Sequence, residues 1–219
     1  MRALAATGHR PVAASLLRIR IRPLVTLPDT VQAVLVTSGQ AVFALQEQGV
    51  RLRDHRVLAV GDSTARHARA AGFTQVESAS GDATHLAALA ATRLKPQNGP
   101  LLLLSGTGQG LELAGQLRQA GFRVFRRCVY EANPLSNMPD GAVKRLQEQD
   151  VAAILFFSGE TSAAFVRALP ASLRPTLASV RALAISPRAA LPLRSLCWRS
   201  IEAAPTPDAA SLLSLLGPA

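Results

Sequence analysis

The run Ala33-Val34-Leu35-Val36-Thr37-Ser38-Gly39-Gln40-Ala41-Val42 sets the reading of the whole chain. Apolar residues without alternation stop at a small polar turn, and an alanine-rich helical stretch begins directly after it. A strand that is apolar on both sides is buried on both faces, as in parallel sheets covered by crossover helices. Working outward, the same device returns. Ala59-Val60 leads into Gly61-Asp62-Ser63-Thr64, and Leu103-Leu104 into Ser105-Gly106-Thr107-Gly108-Gln109-Gly110. Phe156-Phe157 leads into Ser158-Gly159-Glu160-Thr161-Ser162, and Ala184-Ile185 into Ser186-Pro187-Arg188. The expected fold class is α/β with parallel sheets.

Strands are expected at residues 33–37, 57–60, 75–79, 101–104, 123–130, 152–157, 181–185 and 197–201, all short. Asp62 or Ser63 is expected to cap the helix that stops at Gly72, and Asp82 the one that stops before Pro96. Thr206 is the expected cap of the last helix, followed by Pro207 and Asp208. So many strand-helix units are more than one open sheet usually holds. Two segments read as connections: Leu17, Ile19 and Ile21 alternating with Arg18, Arg20 and Arg22, and the polar, proline-bearing residues 131–139. A chain crossing twice yields a continuous domain of residues 30–128 and a discontinuous one of 1–22 plus 137–219, with linker segments 23–29 and 129–136.

Composition narrows the function. With 219 residues, 48% of them hydrophobic and 17% charged, the chain buries a sizeable core, and disorder is excluded. No apolar run reaches the roughly 18 residues of a membrane span, and no signal-peptide pattern opens the chain, so a cytoplasmic protein is expected. Cys128 and Cys197 form no CxxC pair, and His9, His55, His67 and His85 are scattered, so no metal is expected. The net charge is +10, from 24 Lys+Arg against 14 Asp+Glu, and all the cations but Lys95 and Lys144 are arginine. Such a surface attracts carboxylate or phosphate. A nucleic-acid partner is not expected, because the chain offers one Tyr, one Trp and no basic run for phosphate tracking or base stacking.

Each polar turn lies at the carboxyl end of an expected strand and opens a helix. That is where open α/β sheets bind ligands, and where free N–H groups and the positive helix end favour an anion. Any one turn is explained by ordinary capping, since Ser, Thr, Gly and Asp are the usual caps; their repetition points to a multivalent anion. Ser105 to Gly110 spells GxGxG rather than GxGxxG, and neither a Gly-Lys-Ser/Thr loop nor a GxSxG elbow occurs, so nucleotide and serine-hydrolase readings are not licensed. Tyr130, the single tyrosine, ends a strand just before the second connection.

Taken in order, Val34 to Val42, Leu58 to Ala65, Gly81-Asp82-Ala83, Leu101 to Gly106, Gly121-Phe122 with Val129-Tyr130, Leu155 to Ser158 with Ser162-Ala163, Ala184-Ile185-Ser186 and Pro207-Asp208-Ala209 resemble the uroporphyrinogen-III synthase family. The resemblance implies two flavodoxin-like three-layer domains joined by a two-stranded linker, with the active site in the cleft between them. It implies a cofactor-free hydro-lyase of tetrapyrrole biosynthesis, the alternative being a non-catalytic anion-binding relative weakened by loss of the first strand. Hydroxymethylbilane, with eight carboxylates, loses water to form an azafulvene and closes through a spiro intermediate with inversion of its last ring. A monomer is implied, with room for transient contact with hydroxymethylbilane synthase. The substrate-contacting positions carried over are Thr37, Ser38, Gly61, Asp62, Ser63, Thr64, Ser105, Gly106, Ser158, Ser162 and Ser186. Tyr130 matches the family's cleft tyrosine and is the catalytic candidate, assisting departure of the hydroxyl. Gly39-Gln40 and Gly159-Glu160-Thr161 depart from the family's Asn- or Arg-bearing turns. Ala3-Leu4 through Val12 align with the end of the family's first helix, so that domain's first strand is expected to be truncated.

Overall fold

The apolar runs become strands because helices cover them from both sides. Residues 8–24, 26–49, 52 and 54–217 are described in a computed structural model of the chain. Two compact units emerge, one of Ile19–Ala132 and one of Met1–Arg18 with Asn133–Ala219.

In the first unit the strands are β1 (Leu17–Ile21), β2 (Ala33–Val36), β3 (Arg56–Ala59), β4 (Val76–Ser78), β5 (Leu101–Gly106) and β6 (Val124–Pro134). Helices α1 (Gly39–Glu47), α2 (Asp62–Ala70), α3 (Ala83–Arg93) and α4 (Leu111–Gln119) alternate with them. The sheet order is β1-β6-β5-β2-β3-β4, and β2 to β6 pair in parallel. Val34, Val36, Leu102 and Leu104 pack on Ala41, Val42 and Leu45 of α1 and on Ala65 and Ala68 of α2. Leu35, Leu101 and Leu103 pack on Leu86 and Ala90 of α3 and on Leu113 and Leu117 of α4. Each of these leucines, removed from water on both sides, contributes about 1.5–3 kcal/mol.

The connection expected at residues 17–22 is itself a strand, β1, and the chain passes from one unit to the other within it. Arg22 N–H donates to Val129 O and Leu135 N–H to Leu16 O, both at 2.9 Å, so β1 runs antiparallel to β6. Ile19 and Ile21 pack on the core while Arg18, Arg20 and Arg22 stay exposed. That is the period-two alternation of a strand with one covered face. Strand β6 also outruns its expected end at residue 130. Its pairing with β5 slips by one residue, so that Ser105 faces Cys128 but Gly106 faces Tyr130. The slip is a bulge at Val129.

The second unit holds β7 (Ala153–Phe156), β8 (Arg181–Ala184) and β9 (Ser200–Ala203), parallel and in that order. Its helices are α5 (Asp140–Gln147), α6 (Gly159–Ala168), α7 (Pro187–Ala190) and α8 (Ala209–Ser214). One core gathers Phe156, Phe165, Leu173, Leu177 and Leu193. There Phe156 meets Phe165 edge-on at 5.3 Å and Trp198 at 5.9 Å. The opposite core is small: Leu183, Ala204 and Leu212, with Leu155 partly covered.

Three local expectations are corrected. Gly61, not Asp62 or Ser63, occupies the cap position of α2, and Asp62 lies in the first helical turn, where its carboxylate accepts from Ser80 Oγ at 3.0 Å. Asp208, not Thr206, caps α8, accepting from Ser211 N–H at 2.9 Å, while Thr206 Oγ1 donates to Asp208. Strand β9 begins at Ser200 rather than residue 197, because Trp198 turns inward to donate its indole N–H to Leu193 O at 2.9 Å. The alignment expected for Ala3 and Leu4 falls on residues outside those described. Among the described residues no helix is long and apolar enough to cross a membrane.

Candidate functional site

In the Ile19–Ala132 unit the parallel strands all deliver their polar turns to one edge of the sheet. Ser38 follows β2 with extended backbone and caps α1, its Oγ accepting from Ala41 N–H at 3.3 Å. That satisfies one of the orphan amides of the first turn. The same hydroxyl donates to the Tyr130 phenolic oxygen at 3.0 Å. Tyr130 in turn donates to Gln109 Oε1 at 2.9 Å. Turns that are distant in sequence, after β2 and after β5, thus meet on one phenol carried by β6.

Tyr130 is buried because its ring lies over Gly106. A Cβ at Gly106 would stand 2.8 Å from the ring and 3.0 Å from Gln109 Oε1, so only glycine leaves room for both. The turn beneath is held from inside. Ser105, with no exposed surface, donates its hydroxyl to Gln109 O at 3.0 Å, and Arg126 Nη1 donates to the same oxygen at 2.9 Å. Thr107 N–H donates to Tyr130 O at 3.0 Å. Gly110 adopts φ +74°, the left-handed conformation that suits glycine, and starts α4.

The remaining expected positions have distinct settings. Thr37 is half-buried, its hydroxyl 3.5 Å from Leu104 O. Gly61 leaves the first amides of α2 without a side-chain cap. Asp62 and Ser63 are exposed, and Thr64 is buried. Hydrogen bonds from Ser78 and Ser80 hold the Asp62 carboxyl below its ordinary value, so a carboxylate sits at this turn. In the other unit, Ser158 caps α6 by accepting from Thr161 N–H at 3.1 Å and lies 2.6 Å from Thr161 Oγ1. Ser162 has no exposed surface and donates to Ser158 O at 3.1 Å. Ser186 caps the short α7 through Ala189 N–H at 3.2 Å. The turns after β7 and β8 lie side by side, since a Cβ on Gly159 would meet Arg188 O at 3.8 Å.

Gln109 and Arg126 were not singled out by the sequence. The only signal for Gln109 was its place inside the glycine-rich turn; Arg126 carried none. Two histidines stay with local partners: His67 Nδ1 is 2.7 Å from Ser63 O, and His85 Nδ1 is 2.8 Å from Asp82 in a capping box, while His9 Nε2 lies 3.1 Å from Gly217 O. Among the described residues no group of His, Cys, Asp and Glu gathers that could hold a metal. Chemically, the carboxyl edge of this sheet offers helix-end amides for anions and a hydrogen-bonded phenol for proton donation.

Comparison with known proteins gives a consistent picture. The family model for uroporphyrinogen-III synthase HemD matches residues 1–214. The uroporphyrinogen-III synthetase structure from Helicobacter pylori is similar with a TM-score of 0.65 at 20% identity, over 92% of this chain and 89% of that one. A mutant uroporphyrinogen III synthase from the extremely thermophilic bacterium Thermus thermophilus is similar with a TM-score of 0.54 at 25% identity, over 98% of this chain and 91% of that one. No curated protein matches the chain.

Proposed function

The chain belongs to the uroporphyrinogen-III synthase family, and from that premise we propose how its residues perform the family's reaction. It is a lyase of tetrapyrrole biosynthesis that closes hydroxymethylbilane into uroporphyrinogen III, inverting the last pyrrole ring and releasing water. The observation that carries the site assignment is the phenol of Tyr130, fixed by Ser38 and Gln109 where the turns after β2 and β5 converge.

The substrate's acetate and propionate arms dock on the amide-rich turns. Thr37, Ser38, Gly61 to Thr64, Ser105 and Gly106 serve in one unit, and Ser158, Ser162 and Ser186 in the other; at Asp62 it is the backbone N–H that serves, since the carboxylate is turned to Ser80. Thr64, Ser105 and Ser162 act from beneath, holding the turns whose N–H groups meet carboxylate. Tyr130 donates a hydrogen bond to the departing hydroxyl. As the C–O bond breaks, the pyrrole nitrogen supplies the electrons and gives up its N–H proton, so that the hydroxide and that proton leave as water and a neutral azafulvene remains. The substituted carbon of the last ring attacks it to give the spiro intermediate, which opens and recloses with the ring inverted. Fixed anchoring of the arms keeps this path below the direct closure that yields the uninverted isomer.

Both units are flavodoxin-like in this reading. The doubly covered parallel sheets support it, as do the two crossings of the chain, at residues 18/19 and 132/133. The enzyme is a cytoplasmic monomer without a cofactor, and it meets hydroxymethylbilane synthase transiently. The test is a coupled assay that generates the bilane in place, followed by separation of the product isomers. Type III product is expected; type I alone overturns the function. Tyr130→Phe is expected to lower kcat about tenfold or more at unchanged melting temperature, and unchanged kinetics removes its role.

A further inference from the structure

Tyr130 has one O–H to give, and the structure commits it to Gln109 Oε1 at 2.9 Å, while Ser38 Oγ donates to the same phenolic oxygen at 3.0 Å. The orientation of the phenolic proton is therefore set by a residue on the turn after β5, not by the strand that carries the tyrosine. Gln109 is itself fixed by three hydrogen bonds to its backbone. Its N–H donates to Gly106 O at 3.1 Å, and its carbonyl accepts from Ser105 Oγ at 3.0 Å and Arg126 Nη1 at 2.9 Å. The half-buried side chain that leaves this anchored backbone reaches back over Gly106, the position where a Cβ would strike both the ring and Oε1.

We infer that Gln109 is a positioning residue for ring closure: it holds the Tyr130 ring over Gly106 and fixes the direction of its O–H until the departing hydroxyl of the substrate replaces Oε1 as acceptor. The inference rests on the proposed role of Tyr130. Exchange of one acceptor for another keeps the proton count unchanged, and the Ser38 bond to the phenolic oxygen persists through the exchange. A side chain that orients a donor in this way acts on the reaction step more than on binding of the carboxylate arms.

The experiment is a double-mutant cycle in the coupled assay, with kcat, KM, the type III to type I ratio and the melting temperature read for each variant. Gln109→Leu keeps the bulk and removes the acceptor; Gln109→Glu keeps an acceptor oxygen at the same reach. Gln109→Leu is expected to lower kcat about tenfold with KM changed less than about twofold, and to raise the share of type I product. Gln109→Glu is expected to recover most of the lost kcat. Placed in a Tyr130→Phe background, Gln109→Leu is expected to have no further effect, because the group it acts through is gone. If Gln109→Leu alone melts more than about 5 °C lower, Gln109→Asn, which keeps the amide but withdraws it by one methylene, takes its place in the cycle. Wild-type kcat in Gln109→Leu beside an impaired Tyr130→Phe overturns the inference and leaves the tyrosine assignment standing. So does a multiplicative loss in the double variant. A fully active Tyr130→Phe overturns both.

Discussion

Strands β2 and β7 are locally alike and end in near-identical turns, yet the protein treats them differently. Ser38 and Ser158 cap the following helices at φ −161°, ψ 156° and φ −162°, ψ 156°. A glycine follows each. Strand β2, however, has β3 and β5 as neighbours and is buried along its whole length, whereas among the described residues β7 pairs only with β8 and leaves Ala153, Ile154 and Leu155 half-buried. Phe157 beyond it is 52% exposed. The caps diverge with the strands. Ser38 reaches out to Tyr130, while Ser158 closes on Thr161 of its own turn. Local sequence sets the turn; the neighbours available to a strand set its burial and what its cap touches.

The largest test of that contrast is the pair Leu35→Ala and Leu155→Ala. Leu35 has no exposed surface, so its truncation is expected to destabilise by about 3–4 kcal/mol, against about 1 kcal/mol for half-buried Leu155. Urea unfolding with amide exchange on each strand measures both, and equal losses break the comparison. Next comes Ser38→Ala against Ser158→Ala. Each loses a cap worth about 1 kcal/mol, but only Ser38→Ala is expected to lower kcat as well, severalfold, through Tyr130. A similar kinetic loss in both would mean that the two caps serve alike.

Gly39→Ala and Gly159→Ala sharpen the same pair. A Cβ at Gly39 would fall 2.9 Å from His67 Nδ1, forcing that ring off Ser63 O, whereas at Gly159 the nearest atom is 3.8 Å away. Thermal melts are expected to show about 1 kcal/mol of loss at Gly39, and a small gain at Gly159 from a less flexible unfolded chain. The smallest effect is acid sensitivity in the three-stranded sheet. Arg181 grips Glu202 with two bonds of 3.0 Å, and those bonds, with help from Ser200, hold the Glu202 carboxyl below its ordinary value of 4.5. Its stabilisation is therefore complete above pH 4.5 and fades as pH falls through the lowered value. Glu202→Gln is expected to flatten the acid limb of stability against pH, with the two curves meeting at the lowest pH.

Strands 33–36 and 101–104 were legible because unbroken apolar runs have no other home than a sheet covered on both faces. Asp82 was legible as a cap because its carboxylate serves Thr84 and His85 within three residues. Contacts across the sequence were not. Nothing near Gly61 announces that Asp62 will turn to Ser80, and nothing near Thr206 says that its hydroxyl will support Asp208 instead of the helix. For the site, the turns and Tyr130 could be named from the chain, but not the 2.9 Å bond that ties the phenol to Gln109, because it joins residues 21 positions apart.

The slip at Val129 gives β6 something like a reading frame. Before it, Phe125 shares a face with Leu102; after it, Tyr130 shares that face with Gly106. Were the same residues paired without the bulge, inside and outside would exchange for everything downstream, swinging the phenol to the side of Arg126 and Cys128 and bringing Val129 opposite Gly106 in its stead. The extra residue at Val129 is therefore what turns the phenol back to the face that Phe125 and Leu102 share.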